Sequence, residues 1–586
     1  MWVKNILNSR LYEKEKSTRL FFYVLLLIIP LLLSAFTHLW NPIGFPIFHV
    51  DEGHYMRRAM QVMEGLGPQE SKITYDLGYD HPYFGQLFLA AVLSLINYPD
   101  FLDPTVGDVH SIEMLYFIPR VLMGVLAVVD TFLVYKIAET RYNRKVAFIA
   151  ATLFAVMPLS WILRRIWLDS IQLPFLLLSI LFAAYYAKKS ERHCNDSSGY
   201  NERNKKIILL LLSGIFLGLA IFTKTPAFTM IPLILFVIIQ KKKDGNKKIG
   251  YDSSYDDNNN SSNNKTDHHN KIIRYDNNGK NLKARISSLK PLGIWFVPVI
   301  LIPLIWPLYS ISQGQLDGWL DGIIYQTTRD QVSSLRDSII IIYKIDAIFV
   351  GLAAAGIIYA VVKRDYFILL WAFPYLCLLY SLGWTVQIHW IPILPLLCIA
   401  PSILLETLKK INPRKLGYIL EYTIISAVIF FGFMFTTELT TYNLNTQFTQ
   451  LSSFINQELA SAENQEDNSE AITMIGSHRT RALTWIPIYV FDNDLFFRDT
   501  DIPGENFTKP IPTKKFILVA DSDLLSRVND ENHLRNWIGD LRVAKLYHNA
   551  SETIATYLDI WGDRYDFMGI FENYGLGRFI EIKANY

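Results

Sequence analysis

The sequence predicts an α-helical protein that crosses a membrane about eleven times and ends in a C-terminal extracytoplasmic α/β domain. Three observations carry this. The 586 residues are 51% apolar and 14% aromatic, with a mean hydropathy of +0.20, more apolar than an ordinary soluble enzyme. The apolar residues gather in runs of about 17–25, the length that spans hydrocarbon as a helix. The last 150 or so residues abandon that pattern for short strand-like runs alternating with helical ones.

The candidate spans lie near 20–40, 114–138, 145–163, 169–187, 206–223, 226–240, 291–312, 339–362, 366–382, 389–405 and 417–436. The first follows basic residues, as a signal peptide would. It is long enough to span and no small-residue cleavage site follows it, so it reads as a retained helix. Tyr83–Ile96 is apolar but short and follows a polar loop, which predicts a helix lying at the interface.

Orientation follows from lysine and arginine. With the N-terminus (Lys4, Arg10, Lys14, Lys16, Arg19) in the cytoplasm, threading eleven spans puts every basic cluster on that side. These clusters are Arg141, Arg144 and Lys145; Lys188 and Lys189; Lys241–Lys243; Lys363 and Arg364; and Lys409, Lys410, Arg414 and Lys415. A miscount by one span would scatter them. The loop at about 41–113 and everything after about 437 then face outward, and the protein is expected in the cell (plasma) membrane.

Two stretches are not membrane. The loop at about 241–290, rich in Asn, Ser and Asp, lacks the apolar surface to fold and is expected to be a disordered cytoplasmic loop. The tail, 437–586, carries strand-like runs at Ala471–Ile475, Lys515–Ala520, Arg542–Tyr547 and Thr553–Leu558. Helical patterns at Asp521–Val528 and Asn532–Leu541 alternate with them, which predicts an independently folded module without a catalytic role. Asn506-Phe-Thr and Asn549-Ala-Ser are N-glycosylation acceptor patterns on the outer side. The net charge of +2 gives no reason to expect nucleic acid, and Cys194, Cys377 and Cys398 build neither a disulfide framework nor a zinc spacing.

Chemistry is expected in the first outer loop, at Phe48-His49-Val50-Asp51-Glu52-Gly53-His54-Tyr55. Charged groups this close to a bilayer need a recess, a partner or a task. On a helix Asp51 and Glu52 diverge by about 100°, so one of them faces the reaction while the other orients it or binds acceptor. Further on, Tyr79-Asp80-His81-Pro82-Tyr83-Phe84-Gly85-Gln86-Leu87 leads into the interfacial helix. Cations expected near outer span ends are Arg57, Arg58, Arg120, Arg164, Arg165, Lys224, Arg329 and His389; interfacial snorkelling explains many such arginines. Asp169, four residues after Arg165, reads as its helical partner. His49, Asp51 and His54 are metal-binding types but not at a dedicated metal spacing. The pairs Asp492/Asp494 and Asp521/Asp523 read as turn chemistry.

Asp-Glu-x-His-Tyr after the first span, Tyr-Asp-x-His-Pro ahead of an apolar Gly-Gln-Leu, Arg165-Ile-Trp-Leu-Asp169-Ser and Gly218-Leu-Ala…Thr-Lys224 together resemble the protein O-mannosyltransferases. These are membrane glycosyltransferases of the GT-C fold. The likeness covers about residues 20–240 and continues in hydropathy to about 436. The family often has His-Pro-Pro and Gly-Lys where this chain has His81-Pro82-Tyr83 and Gly85-Gln86, and its eukaryotic lumenal domain is not seen here. The bacterial lipid A aminoarabinose transferases share the same plan.

The resemblance implies transfer of a hexose, mannose first, from a polyprenyl (dolichyl-type) phosphate to a protein, glycan or lipid acceptor, without a cofactor or metal. Asp51 and Glu52 would be catalytic, Asp51 as general base in an inverting transfer. Arg165, Lys224, Arg164 and Arg120 would hold the donor phosphate, and His54, Asp80, His81 and Asp169 would line the acceptor loop. An oligosaccharyltransferase is the first rival, but no Trp-Trp-Asp-Tyr-Gly appears in the C-terminal half. A flippase or transporter is the second, and it would place its charges at mid-membrane.

Overall fold

The computed structural model describes residues 23–68, 79, 81–191, 200–240, 291–328, 334–382, 384–409, 413–463, 472–476, 483–493, 495–499, 516–518, 541–547 and 579–584. The expected loop at 241–290, Asp80, Arg329, Cys194, both glycosylation patterns and the Thr553–Leu558 run lie outside them.

All eleven expected apolar runs fall on helices. These are α1 (Tyr23–Leu39), α4 (Val109–Arg141), α5 (Arg144–Val156), α6 (Leu168–Glu191), α7 (Tyr200–Thr223) and α8 (Ile231–Ile239), then α9 (Pro291–Ser312), α12 (Ala347–Lys363), α13 (Tyr366–Ser381), α14 (Leu394–Leu408) and α15 (Arg414–Thr441). Between them lie the short helices α2 (Val50–Met63), α3 (Phe84–Ser94), α10 (Leu316–Thr328) and α11 (Leu335–Ile345), and after them α16 (Thr446–Glu463) and α17 (Trp485–Tyr489). Six of the described helices are long and apolar enough to cross a membrane, or seven if one bent pair counts as a single span. Tyr23–Leu39, Thr225–Ile239, Ala347–Lys363 and Tyr366–Ser381 are apolar but shorter.

Several expected runs are interrupted, and two of the breaks have a residue that accounts for them. The run at 145–163 bends by 70° at Pro158, where α5 gives way to a 3-10 turn, Pro158–Arg164; proline lacks the N–H that would continue the ladder. The run at 339–362 divides at Asp346, whose carboxylate accepts from Phe349 N (2.9 Å) and starts α12 anew. Close packing uses small residues. A Cβ on Gly214 would sit 2.4 Å from the Trp295 carbonyl oxygen and one on Gly218 2.6 Å from that of Pro298. This Gly-x-x-x-Gly face therefore lets α7 lie against α9.

The strand-like runs at 471–475, 515–520 and 542–547 meet β1 (Ile472–Gly476), β3 (Phe516–Leu518) and β4 (Leu541–Tyr547). The runs did not indicate β2 (Leu495–Asp499) or β5 (Phe579–Ala584). Strands β1–β3 form a parallel sheet in the order β2-β1-β3, and β4 pairs antiparallel with β5. The boundary expected near 437 falls inside α15, and residues 440–445 lie against the start of the chain. Asn41 Nδ2 donates to the carbonyls of Thr440 (3.0 Å) and Tyr442 (2.9 Å).

Candidate active site

The site is built around the first turn of α2. Residues 40–49 leave α1 through Asn41, whose φ of 48° turns the chain, and reach His49 in an extended conformation. His49 caps the helix. Its Nδ1 accepts from Asp51 N (3.2 Å), and the Glu52 carboxylate returns to His49 N (2.9 Å), a reciprocal capping box. Asp51 and Glu52 then point different ways.

Glu52 is fully buried. It takes Arg120 in a two-pronged contact, Nε to Oε1 at 3.0 Å and Nη2 to Oε2 at 2.7 Å, and also accepts from Ile166 N at 3.2 Å. Arg120 Nη1 donates to the carbonyls of Pro42 (2.9 Å) and Pro46 (2.7 Å), and the guanidinium lies 4.4 Å from the Phe48 ring centre. Both side chains have 0% exposure. Of the expected donor-phosphate cations, Arg120 therefore faces Glu52 and the loop backbone. Arg164 likewise donates to the carbonyls of Trp40 and Asn41.

Asp51 is different: its side chain is 40% exposed. Burial of its surroundings would raise its carboxyl, but His49, His54, Lys224 and His81 together hold it below the ordinary carboxylate value. The position in the first turn of a helix acts in the same direction. His49 Nδ1 lies 3.7 Å from Asp51 Oδ2, and Arg57 Nη2 contacts His54 Nδ1 at 3.0 Å.

Lys224 reaches this place from the end of α7. Its backbone is extended between the helix and the 3-10 turn Thr225–Met230, and Gln172 on α6 ties it down by donating to the carbonyls of Ala220 and Lys224. Lys224 Nζ meets Asp169 Oδ2 at 2.6 Å, and the two side chains are 12% and 2% exposed. Asp169 thus pairs with Lys224, not with Arg165. The i,i+4 reading needs a helix through both residues, whereas α6 begins only at Leu168 and Arg165 is extended (φ −85°, ψ 150°). Arg165 lies instead over the rings of Trp161 and Trp167, 4.9 Å from each centre. Trp167 meets the His49 ring edge-on at 5.4 Å, so Arg165 stands one aromatic layer behind the cap of α2.

His81, half-buried, lies within electrostatic reach of both Asp51 and Asp169. After it, α3 can approach α6 and α7 because Gly85 has no side chain: a Cβ there would sit 2.4 Å from Leu168 Cδ2. Two residues that the sequence did not single out also belong here. Tyr375 lies near Asp169 and donates to the His389 carbonyl (2.6 Å), which brings the later helices to the same end. Asn445, buried, accepts from Phe48 N at 2.7 Å. Among the described residues no cluster of three His, Cys, Asp or Glu has metal-binding geometry.

Residues 74–248 match the sequence profile of the family described as dolichyl-phosphate-mannose-protein mannosyltransferase. That stretch includes His81, Arg164, Arg165, Asp169 and Lys224 and begins after Asp51. No curated protein sequence matches the chain. Among solved structures it is similar to ArnT from Cupriavidus metallidurans in the apo state, with 10% identity, a TM-score of 0.51, and coverage of 87% of this chain and 95% of that one. The same enzyme bound to undecaprenyl phosphate gives 10% identity, a TM-score of 0.50, and coverage of 89% and 96%. The chain has the GT-C fold of the membrane glycosyltransferases. The oligosaccharyltransferase AglB from Archaeoglobus fulgidus is also similar, at 12% identity with a TM-score of 0.47. The match covers 80% of this GT-C chain, which spans 64% of AglB's length.

Proposed function

We propose that this GT-C protein transfers a hexose, mannose in the first instance, from a polyprenyl (dolichyl-type) phosphate to an acceptor hydroxyl at the extracytoplasmic membrane face. Asp51 is the general base. The acceptor oxygen attacks the anomeric carbon from the side opposite the phosphate, its proton passes to the Asp51 carboxylate, and the carbon–oxygen bond to the phosphate breaks. The lipid phosphate leaves with the bonding electrons, and the anomeric centre inverts. One base suffices and no covalent intermediate forms.

The observation that carries this reading is the environment of Asp51. Its side chain is 40% exposed, and cationic or protonatable groups from residues 49–54, from His81 and from Lys224 lie within electrostatic reach of it. Lys224 is the group to meet the leaving phosphate: an ammonium has three N–H donors, and Asp169 orients one of them. Arg165, one aromatic layer behind the cap of α2, adds a fixed positive charge to the same end of the protein. Glu52, Arg120 and Arg164 hold the frame, since their hydrogen bonds run to each other or to the backbone of residues 40–49 and Ile166.

The full count of eleven spans, a cytoplasmic N-terminus and an outer α/β module built on β1–β5 complete the proposal. The helical placement of all eleven runs and the one-sided lysine and arginine clusters support it. The reaction as proposed uses no metal. The test is purified protein with radiolabelled polyprenyl-phosphate mannose, offered peptide, glycan and lipid acceptors in parallel. Label should move to one acceptor class in a chelator-resistant reaction. No transfer to any of them, with intact donor uptake into vesicles, would favour a transporter.

A further inference from the structure

Residues that follow the last long apolar helix grip α2 at both of its ends. At the start the need is chemical. Pro42 and Pro46 have no N–H, so the loop that delivers Asp51 lacks two of its own donors and presents carbonyls that want partners. Arg120 serves two of them. Asn445 serves Ile43 and shares Pro46: its Nδ2 donates to the carbonyls of Ile43 (2.5 Å) and Pro46 (2.8 Å), while its Oδ1 accepts from Phe48 N (2.7 Å). Pro46 O thereby has both lone pairs filled, one by Arg120 and one by Asn445. Beside it, Leu444 N donates to Gly44 O (2.8 Å). A Cβ on Gly44 would lie 2.2 Å from Asn443 Oδ1, so the close approach of the two segments depends on glycine at this position.

At the other end of α2, buried Gln61 donates from Nε2 to the Tyr489 hydroxyl (3.0 Å). Trp485 Nε1 donates to the Tyr116 hydroxyl (3.0 Å), and the Tyr116 ring stacks on Phe48 at 4.0 Å. A 14-residue helix is about 21 Å long, and fixing it near Phe48 and again at Gln61 sets both its position and its tilt.

We infer that Asn445, seconded by Tyr489, is a positioning residue for sugar transfer, holding the Asp51 helix in register with Lys224 and His81. The inference rests on Asp51 being the base. It gives the root of the tail a part in turnover that the sequence did not suggest. Only a side chain with an acceptor and two donors satisfies this position. Alanine leaves the Phe48 N–H and the Ile43 carbonyl without partners, and aspartate keeps the acceptor but turns a carboxylate toward two carbonyls.

The test uses the full-length protein in membranes, with radiolabelled polyprenyl-phosphate mannose and the acceptor class found active. Asn445→Ala and Asn445→Asp should lower kcat by about 10- to 100-fold, the scale of a misplacement near 1 Å, with the donor KM within about twofold. The acid limb of the pH profile should also move to higher pH as Asp51, carried with His49 and His54 on α2, moves away from His81 and from Lys224, the last paired to Asp169. Loss of folded protein alone would scale the rate without moving the limb. Tyr489→Phe keeps the ring and removes the acceptor for Gln61. It should show the same pattern more weakly, and it decides the matter if the Asn445 variants do not fold. Unchanged kcat and an unmoved limb overturn the inference. Inactive Asp51→Asn alongside wild-type Asn445→Ala would do so while leaving the base intact, whereas active Asp51→Asn would remove the base and this inference with it.

Discussion

Replacing Glu52 by Gln separates structure from chemistry at the Asp-Glu pair. The carboxylate accepts from Arg120 twice, from Ile166 N and from His49 N, and none of the pair is exposed. An amide has one oxygen for these four donors and turns its own N–H groups toward some of them, while Arg120 stays charged and buried. Removing one partner of a buried pair costs about 3–5 kcal/mol. Glu52→Gln should therefore lower the denaturation midpoint of the detergent-solubilised protein substantially. Glu52→Gln combined with Arg120→Met should recover part of the loss, because no buried charge remains unpaired. Recovery should be incomplete, since the carbonyls of Pro42 and Pro46 also lose Arg120. A Glu52→Gln protein with wild-type stability and greatly reduced turnover would refute the frame assignment and return Glu52 to the reaction.

Two further outcomes follow from the charges around Asp51. Lys224→Met should reduce turnover by about 10²–10³-fold, the scale for removing one donor to a developing oxyanion, and raise the donor KM. It also orphans Asp169, so stability should be measured beside the rate. Because Asp51 is held below the ordinary carboxylate value, turnover should be full at neutral pH and lost only as pH falls through that depressed value. Removing the Lys224 charge should move the acid limb upward; a downward shift would contradict the electrostatics.

Much of the helix layout was legible because hydrocarbon demands long apolar runs: each of the eleven contains helix among the described residues, six or seven of them long and apolar enough to cross a membrane. Breaks within runs were less so, although Pro158 and Asp346 state their reasons locally. At the site, Asp51 stood out as a carboxylate beside a bilayer, and Lys224 stood out in a family-like turn. The fates of Glu52 and Arg120 were not legible: 68 residues separate them, and nothing local says that one arginine will meet both a carboxylate and two proline carbonyls. Asp169 was misassigned because a spacing rule was applied across a segment that is extended. Asn445 lay in Thr-Tyr-Asn-Leu-Asn-Thr, where asparagines read as turn residues. Its task, pairing a proline-interrupted loop 400 residues earlier, appears only in three dimensions.

The central claim is that Asp51 takes the acceptor proton, and turnover of Asp51→Asn tests it most directly. The substitution keeps shape and hydrogen-bonding capacity, leaves the capping box of His49 and Glu52 intact, and removes only the ability to accept a proton. Measured on folded protein with radiolabelled polyprenyl-phosphate mannose at saturating donor, kcat should fall by about 10²–10⁴-fold with little change in donor binding. Near-wild-type turnover in well-folded Asp51→Asn protein would contradict the account and leave this carboxylate as an ordinary helix-terminal residue.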